Sequence, residues 1–374
     1  MDRHYDVVVI GGGIIGLAQA WMASERGLRV LLLERDSKAS GASVRNFGMI
    51  WPIGQPAGRP HEIALRSRER WMQLAASGVV ELENCGSIHA AHNEDEWDVL
   101  QEFAALQTHP VELITSTEVT QRQPVVNPKG LYGGLYSDTE LRVDPRVASA
   151  KIGAWLDSQP QITCRYETPV VRVDYPTVRT GDGEEWTADH IVLCSGSDLR
   201  TLYGEVFRSS GLQLCKLQML KTKPQPNLRP NTPHLASGLT LRHYTSFAAC
   251  RSLERVKNRI RTESPELDQF GIHVMASVFP SGEIILGDSH EYDEAITPFD
   301  RSEIDQLMIR ELQKLICLSD WTMSEHWHGI YAKHPDLLIF ETLIDEGVHV
   351  FVGPGGAGMT MSFGLADDAW DRWL

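Results

Sequence analysis

The stretch Val7-Val8-Val9-Ile10-Gly11-Gly12-Gly13-Ile14-Ile15-Gly16-Leu17-Ala18-Gln19-Ala20 decides the fold. Residues 7–10 are apolar without alternation, as in a strand whose two faces are both covered in a parallel sheet. Three glycines interrupt the run. Residues 14–26 then follow helical periodicity up to Gly27. Val30–Leu33 reads as a second buried strand, closed by Glu34. Gly11, Gly13 and Gly16 fit G-x-G-x-x-G, where glycines permit a tight turn, close approach of backbone to a pyrophosphate and close helix–strand packing. The helix start at Ile14 and Ile15 offers unpaired N–H groups and a positive dipole end to phosphates. Glu34, 23 residues after Gly11, stands where a carboxylate can accept hydrogen bonds from ribose hydroxyls. Strand, turn, helix, strand and acid together predict dinucleotide binding, with FAD and NAD still both open.

Two later segments favour FAD. Residues 188–197 form a buried strand running into the small turn Cys194-Ser195-Gly196, where backbone can approach a cofactor. Residues 350–360 read as strand, glycine loop and helix start, through Gly355, Gly356, Ala357, Gly358, Met359 and Thr360. A second helix N-terminus can stabilise negative charge on a reduced flavin, and an NAD enzyme has no use for it. Between these pieces, residues 40–60 form a Gly/Pro-rich loop, and helices are expected at about 62–77, 93–107, 145–158 and 300–318. Short strands are expected around 161–174 and 186–194. Residues 213–290, including 239–247, carry alternating runs that predict an antiparallel sheet. The expected fold class is α/β plus α+β. A discontinuous Rossmann-type, glutathione-reductase-like FAD-binding domain (1–80, 145–212 and 325–374) is interrupted by an antiparallel-sheet substrate domain (81–144 and 213–324).

Composition narrows the partners. The chain has 374 residues, 42% of them hydrophobic, enough for a sizeable core. Its 35 basic and 50 acidic residues give −15, which argues against nucleic acid and against an anionic membrane surface as partners. An anionic substrate remains open, because a pocket can be locally positive. The six cysteines, at 85, 164, 194, 215, 250 and 317, form no C-x-x-C pair or zinc spacing and read as packed thiols of a reducing, cytoplasmic protein. Residues 7–23 superficially suggest a signal peptide, but the glycines break the run, and a strand starting near residue 5 leaves no room for a cleaved leader. No stretch approaches the roughly 18 apolar residues of a membrane helix. The final residues are not a peroxisomal address.

The assembled pieces resemble the D-amino-acid oxidase, glycine oxidase and sarcosine oxidase superfamily of FAD-dependent oxidoreductases. The resemblance rests on the glycine motif with Glu34-Arg35, the loop Gly41-Ala42-Ser43-Val44-Arg45-Asn46-Phe47-Gly48, Thr168-Pro169-Val170, Cys194-Ser195-Gly196 and the 353–360 loop. It implies that Val170 contacts adenine and that the 41–48 loop, with Arg45 and Asn46, lies against flavin and pyrophosphate. More narrowly, the wording of residues 43–58, 284–292 and 353–364 looks like a bacterial clade linked to phosphonate breakdown. That likeness implies oxidation of 2-aminoethylphosphonate or its N-methyl derivative to phosphonoacetaldehyde, with dioxygen or another acceptor. Oxidation of glycine, sarcosine or D-amino acids is the alternative, and a flavin dehydrogenase of hydroxy acids or phospho-alcohols a further one.

Such chemistry needs no obligatory side-chain acid or base, so orientation and charge placement dominate. His273 resembles a flavin-facing position that is lysine in sarcosine oxidases, and could equally be a sheet histidine. Tyr331 and Lys333 lie where glycine and D-amino-acid oxidases place a carboxylate-binding arginine; Lys333 is the nearest cation here, which suggests a different anion. Arg242, His243 and Tyr244 form a polar cluster expected on a strand. Trp51 and Gln55, just past the 41–48 loop, could line the pocket, and Trp51 could equally pack in the core. Some superfamily members hold FAD covalently through His or Cys. The 41–48 loop carries neither, so noncovalent FAD is expected.

Overall fold

The computed structural model describes residues 3–226, 228–229, 231–293 and 296–374. The opening stretch folds as expected: strand β1 (His4–Ile10), helix α1 (Ile14–Glu25) and strand β2 (Val30–Leu33). β1 is parallel to β2 on one side and to Glu185–Leu193 on the other, and β2 is parallel to Ile162–Arg165. Val348–Val352 joins parallel to Glu185–Leu193, completing with its neighbours an eight-stranded sheet. Both faces are covered, so β2 is buried at every position, as its unbroken apolar run requires. On one face α1 packs against the C-terminal helix Gly358–Trp373, which also contacts the helix Arg59–Ala76. The two ends of the chain thus build one layer.

A nine-stranded sheet forms the second body of structure. Its pairs are antiparallel except one: His234–Ser237 runs parallel to Ser87–Ala91, so the sheet is mixed rather than wholly antiparallel. Its longest ladder joins Gln213–Thr222 to Met323–Lys333 in unbroken register from Gln213↔Lys333 to Lys221↔Glu325, with a shift only beyond, at Lys221/Thr222. Sheet membership supports a proposed division like that expected, with the boundary at 325 moved to the end of this strand.

A small three-stranded sheet of Met49–Ile50, Leu141–Val143 and Leu82–Glu83 lies beside these. Its Arg142, 2% exposed, donates to Glu83 (2.6 Å) and to the carbonyl of Thr232 (2.7 Å), tying this sheet to the segment entering the larger one.

Residues 239–247 correct the expected strand. Gly238–Arg242 and Thr245–Ala249 are short 3-10 turns, and the alternating Leu239, Leu241 and Phe247 pack inward from irregular backbone. Helices Leu253–Glu263 and Pro265–Gln269 follow inside the stretch expected to be sheet. All six cysteines are free; Cys317 is exposed and Cys164 half-buried rather than packed. Among the described residues, no helix is long and apolar enough to cross a membrane.

Candidate functional site

The glycine turn is shaped by contacts that a side chain would break. Gly11 has φ +111°, and a Cβ there would lie 2.3 Å from the carbonyl oxygen of Cys194. A Cβ on Gly16 would lie 1.8 Å from the carbonyl oxygen of Gly11. Gly13 caps α1 without a side chain, and the N–H of Ile14 donates to the Ser43 hydroxyl at 2.9 Å. Glu34 accepts from the N–H of Gly12 (2.6 Å) and of Asp36 (2.9 Å), which fixes its carboxylate against the turn. Arg35 instead pairs with Asp198 at 2.8 Å, an exposed brace on the turn after Gly196. Ser195 Oγ is buried with no hydrogen-bond partner, and Val170 is 8% exposed at the edge of the same core. A side-chain-free helix start, a fixed carboxylate and an orphaned hydroxyl fit the phosphates, ribose and linker of a dinucleotide.

The 41–48 loop holds its shape with its own side chains. Asn46 donates to the carbonyls of Ala42 and Ser43 and accepts from the N–H of Gly48. Arg45 donates to the carbonyls of Ser40 and His328. Both side chains are therefore spent on protein, and what the loop offers a cofactor is backbone shape. Phe47 reaches the second sheet, where a Cβ on Gly287 would touch its ring at 3.4 Å. The Thr360 hydroxyl accepts from the Trp51 N–H at 2.9 Å, joining this loop to the last helix. Met359 contributes its carbonyl to the Trp71 indole (2.8 Å).

The last glycine loop meets the long strand. Lys333 bridges to Pro354, and Gly355 and Gly356 are bare where a Cβ would touch the Lys333 stem (3.2 Å) and the Tyr331 hydroxyl (3.5 Å). From here a wall of rings runs inward. Tyr331 lies 6.4 Å from His290 between centroids, His290 5.0 Å from His273, and His273 5.9 Å from Tyr244. Trp51 continues it 6.1 Å from Tyr244. His243, omitted from the strongest expectations, sits 3.9 Å from His273. The structure thus gathers His273, Tyr331, Lys333, Tyr244 and Trp51 along one wall. The backbone carbonyl of Gln55 lies 2.9 Å from His109 Nε2.

Arg242 does not lie on the expected strand. It ends a 3-10 turn, pairs with Asp268 at 2.9 Å and donates to the carbonyl of Ile272 at 2.7 Å. Its role is to brace the segment carrying His273. His334 is also spent: its Nδ1 accepts from the N–H groups of Asp336 and Leu337, so the one histidine of residues 329–336 closes a turn.

Burial sets the charge states of the wall. It pushes His243 and His273 well below the ordinary imidazole range, reinforced by neighbouring imidazoles, Lys333 and Arg242. Burial brings His290 down to about 4. Asp288, 3.2 Å from His273 Nε2 without hydrogen-bond alignment, is raised well above the carboxylate range by desolvation. Burial thus favours the neutral form of each of these groups. The half-buried Lys333 has no carboxylate partner among the described residues. His290, Asp288 and Tyr292 escaped the residue-by-residue reading; the turn Gly287-Asp288-Ser289-His290, directly after a buried strand, was the available signal.

A mixed sheet with a parallel core and a glycine-lined helix start, together with two further glycine-lined loops, is the architecture of a dinucleotide-binding protein. The chain belongs to the FAD dependent oxidoreductase family, DAO, whose model matches residues 6–372, and FAD is its cofactor. It is 28% identical over 209 residues to the glycine oxidase of Bacillus subtilis strain 168, which covers 52% of this chain and 55% of that protein. The chain thus spans about half the length of that relative. An opine oxidase chain of Rhizobium meliloti is 24% identical over 358 residues, 88% of this chain and 83% of that one. The crystal structure of glycine oxidase from Geobacillus kaustophilus has the same fold, with TM-score 0.75 at 20% identity over 99% of this chain and 95% of that chain.

Proposed function

We propose that this protein oxidises a small primary or secondary amine bearing an anionic group, and that the substrate is 2-aminoethylphosphonate or its N-methyl derivative. Substrate, dioxygen and water would give phosphonoacetaldehyde, ammonia or methylamine, and hydrogen peroxide. Bound FAD, held noncovalently, supplies the two-electron acceptor.

The observation that carries the reading is Lys333. It is a half-buried ammonium without a carboxylate partner among the described residues, beside the last glycine loop and at the open end of a neutral imidazole and phenol wall. Its charge attracts the substrate's anion. The same charge disfavours a second cation nearby, so it favours the amine in its neutral form. Tyr331, 7% exposed beside Gly356, is kept a neutral phenol by burial and can donate to the substrate. The packed wall excludes water and so strengthens each of these interactions. No arginine stands in this neighbourhood to grip a carboxylate in two-pronged fashion, since Arg242 is held by Asp268. Free, dispersed thiols support a reducing setting.

Likeness to glycine oxidases supports the second reading, an amino acid or sarcosine oxidase. Anaerobic flavin bleaching separates the two. N-methyl-2-aminoethylphosphonate should bleach the yellow protein and glycine should not. Bleaching by glycine, sarcosine or D-amino acids alone would replace the phosphonate reading.

A further inference from the structure

Three imidazoles from three separate segments converge beside Lys333. His243 follows a 3-10 turn, His273 precedes the strand Met275–Val278, and His290 precedes Glu291–Asp293. One ring nitrogen of each lies within 4.8 Å of those of the other two. His273, only 2% exposed, has both ring nitrogens without a hydrogen-bond partner, and Asp288 Oδ1 beside it is likewise unpartnered. Buried polar atoms are paired in most folded proteins, so such a group of orphans signals a missing ligand.

A metal cation and an anion are the two ligand classes that imidazoles serve, and charge decides between them. Lys333 and Arg242 are the cations acting on the trio. Asp288 is the carboxyl against it, and burial raises it well above the ordinary carboxylate range. Tyr244, Tyr292 and Tyr331 complete the titratable surroundings. The Lys333 ammonium at the open side attracts an anion and opposes a metal cation. His243 is half-buried and Tyr292 is 45% exposed, so the trio opens toward Lys333.

We propose that the His243–His273–His290 trio, with Lys333 at its open side, seats a tetrahedral dianionic group of the substrate. The identity of that group as phosphonate rests on the reading above. His243, His273 and the Lys333 ammonium can each supply a donor, and His290, whose Nδ1 already donates to the Gly271 carbonyl at 3.2 Å, supplies one on taking up a proton. A tetrahedral group presents its three oxygens toward donors on several sides, whereas a carboxylate presents its acceptor sites in one plane. Sites built around buried polar groups reject ligands that leave them unpaired. Entry of the dianion also draws a proton from solvent onto the trio, because adjacent negative charge favours imidazolium.

Calorimetry on the FAD-loaded protein tests this with methylphosphonate and acetate, in two buffers of different ionisation enthalpy. Methylphosphonate should bind at least about tenfold more tightly than acetate, with one proton taken up. Its affinity should rise about tenfold for each unit the pH falls between 9 and 8. His243→Gln and His290→Gln should each weaken it about tenfold and abolish the uptake. Equal affinities, absence of proton uptake, or stoichiometric zinc in the purified protein would overturn the proposal. If the variants lose FAD, proton uptake by the unaltered protein decides. Methylphosphonate binding as described, without bleaching by any aminophosphonate, would leave the seat standing and end the aminophosphonate reading. Bleaching by an aminophosphonate with KM untouched in both variants would do the reverse.

Discussion

Single atoms decide whether the cofactor cradle forms. At Gly16 one added methyl group would lie 1.8 Å from the Gly11 carbonyl oxygen, and no flexible side chain is there to give way. Gly16→Ala should therefore cost more than about 3 kcal/mol. The variant is expected to purify colourless or insoluble; a full yellow complement of FAD would contradict the packing. Glu34→Gln is milder. It sets an amide NH2 against one of the two N–H groups now served at 2.6 and 2.9 Å, for a loss of about 1–3 kcal/mol in cofactor affinity. Fluorescence of released FAD would measure it. Lys333→Met should raise KM about ten- to a hundredfold, the loss of a charged hydrogen-bond partner worth about 1.5–3 kcal/mol, with a much smaller change in kcat. A kcat loss with unchanged KM would move Lys333 out of anion binding.

Among the elements, the helix Pro145–Asp157 shows how local signals serve. Asp144 caps it by accepting from the Arg146 N–H at 3.0 Å, and Pro145 opens it. Asp144→Ala should lower stability by about 0.5–2 kcal/mol without affecting FAD content, read by thermal unfolding. This helix, the glycine turn and the buried strands were legible because their causes lie within a few residues of one another. The segment 239–247 was not: its alternating apolar residues serve packing from 3-10 turns as well as they would a strand. The helix Leu253–Glu263 did carry a signal, since Leu253, Val256 and Ile260 recur at helical spacing and are buried. The surrounding strand-like runs masked it. The histidine trio was beyond sequence reasoning as a unit, because residues 243, 273 and 290 become neighbours only when turns and strands close. Arg242 misled for the converse reason: its partner Asp268 lies 26 positions on, and only the fold brings them together.

For the whole molecule, buried neutral histidines set the response to acid. His61, His290 and His349 are held down at about 4 and His89 at about 3, each chiefly by burial. His234, His243 and His273 are lower still than usual for the same reason. A histidine with a depressed folded-state pKa binds fewer protons folded than unfolded. Its contribution to stability is whole above about pH 6.5 and is lost as pH falls below that. Asp288 and Glu140, both raised by burial, act in the opposite direction but are outnumbered. The melting temperature should therefore fall steadily from pH 6.5 to 4.5; a flat profile would mean that these imidazoles reach water in the folded state. The net charge of −15 belongs to the outer surface and to solubility, so salt should affect substrate capture through Lys333 alone.

The ladder between Gln213–Thr222 and Met323–Lys333 works as a reading frame for the site. Side chains alternate sides along a strand, so Tyr331 and Lys333, two residues apart, share a face, and the register with Gln213–Thr222 fixes which face that is. One residue inserted between Glu325 and Tyr331 would swap the faces and leave the pocket without its cation, although every residue of the pocket were still encoded. One inserted beyond the register shift at Lys221/Thr222 would leave the frame intact. A change of length is thus absorbed beyond the end of this ladder and mutes the enzyme within it.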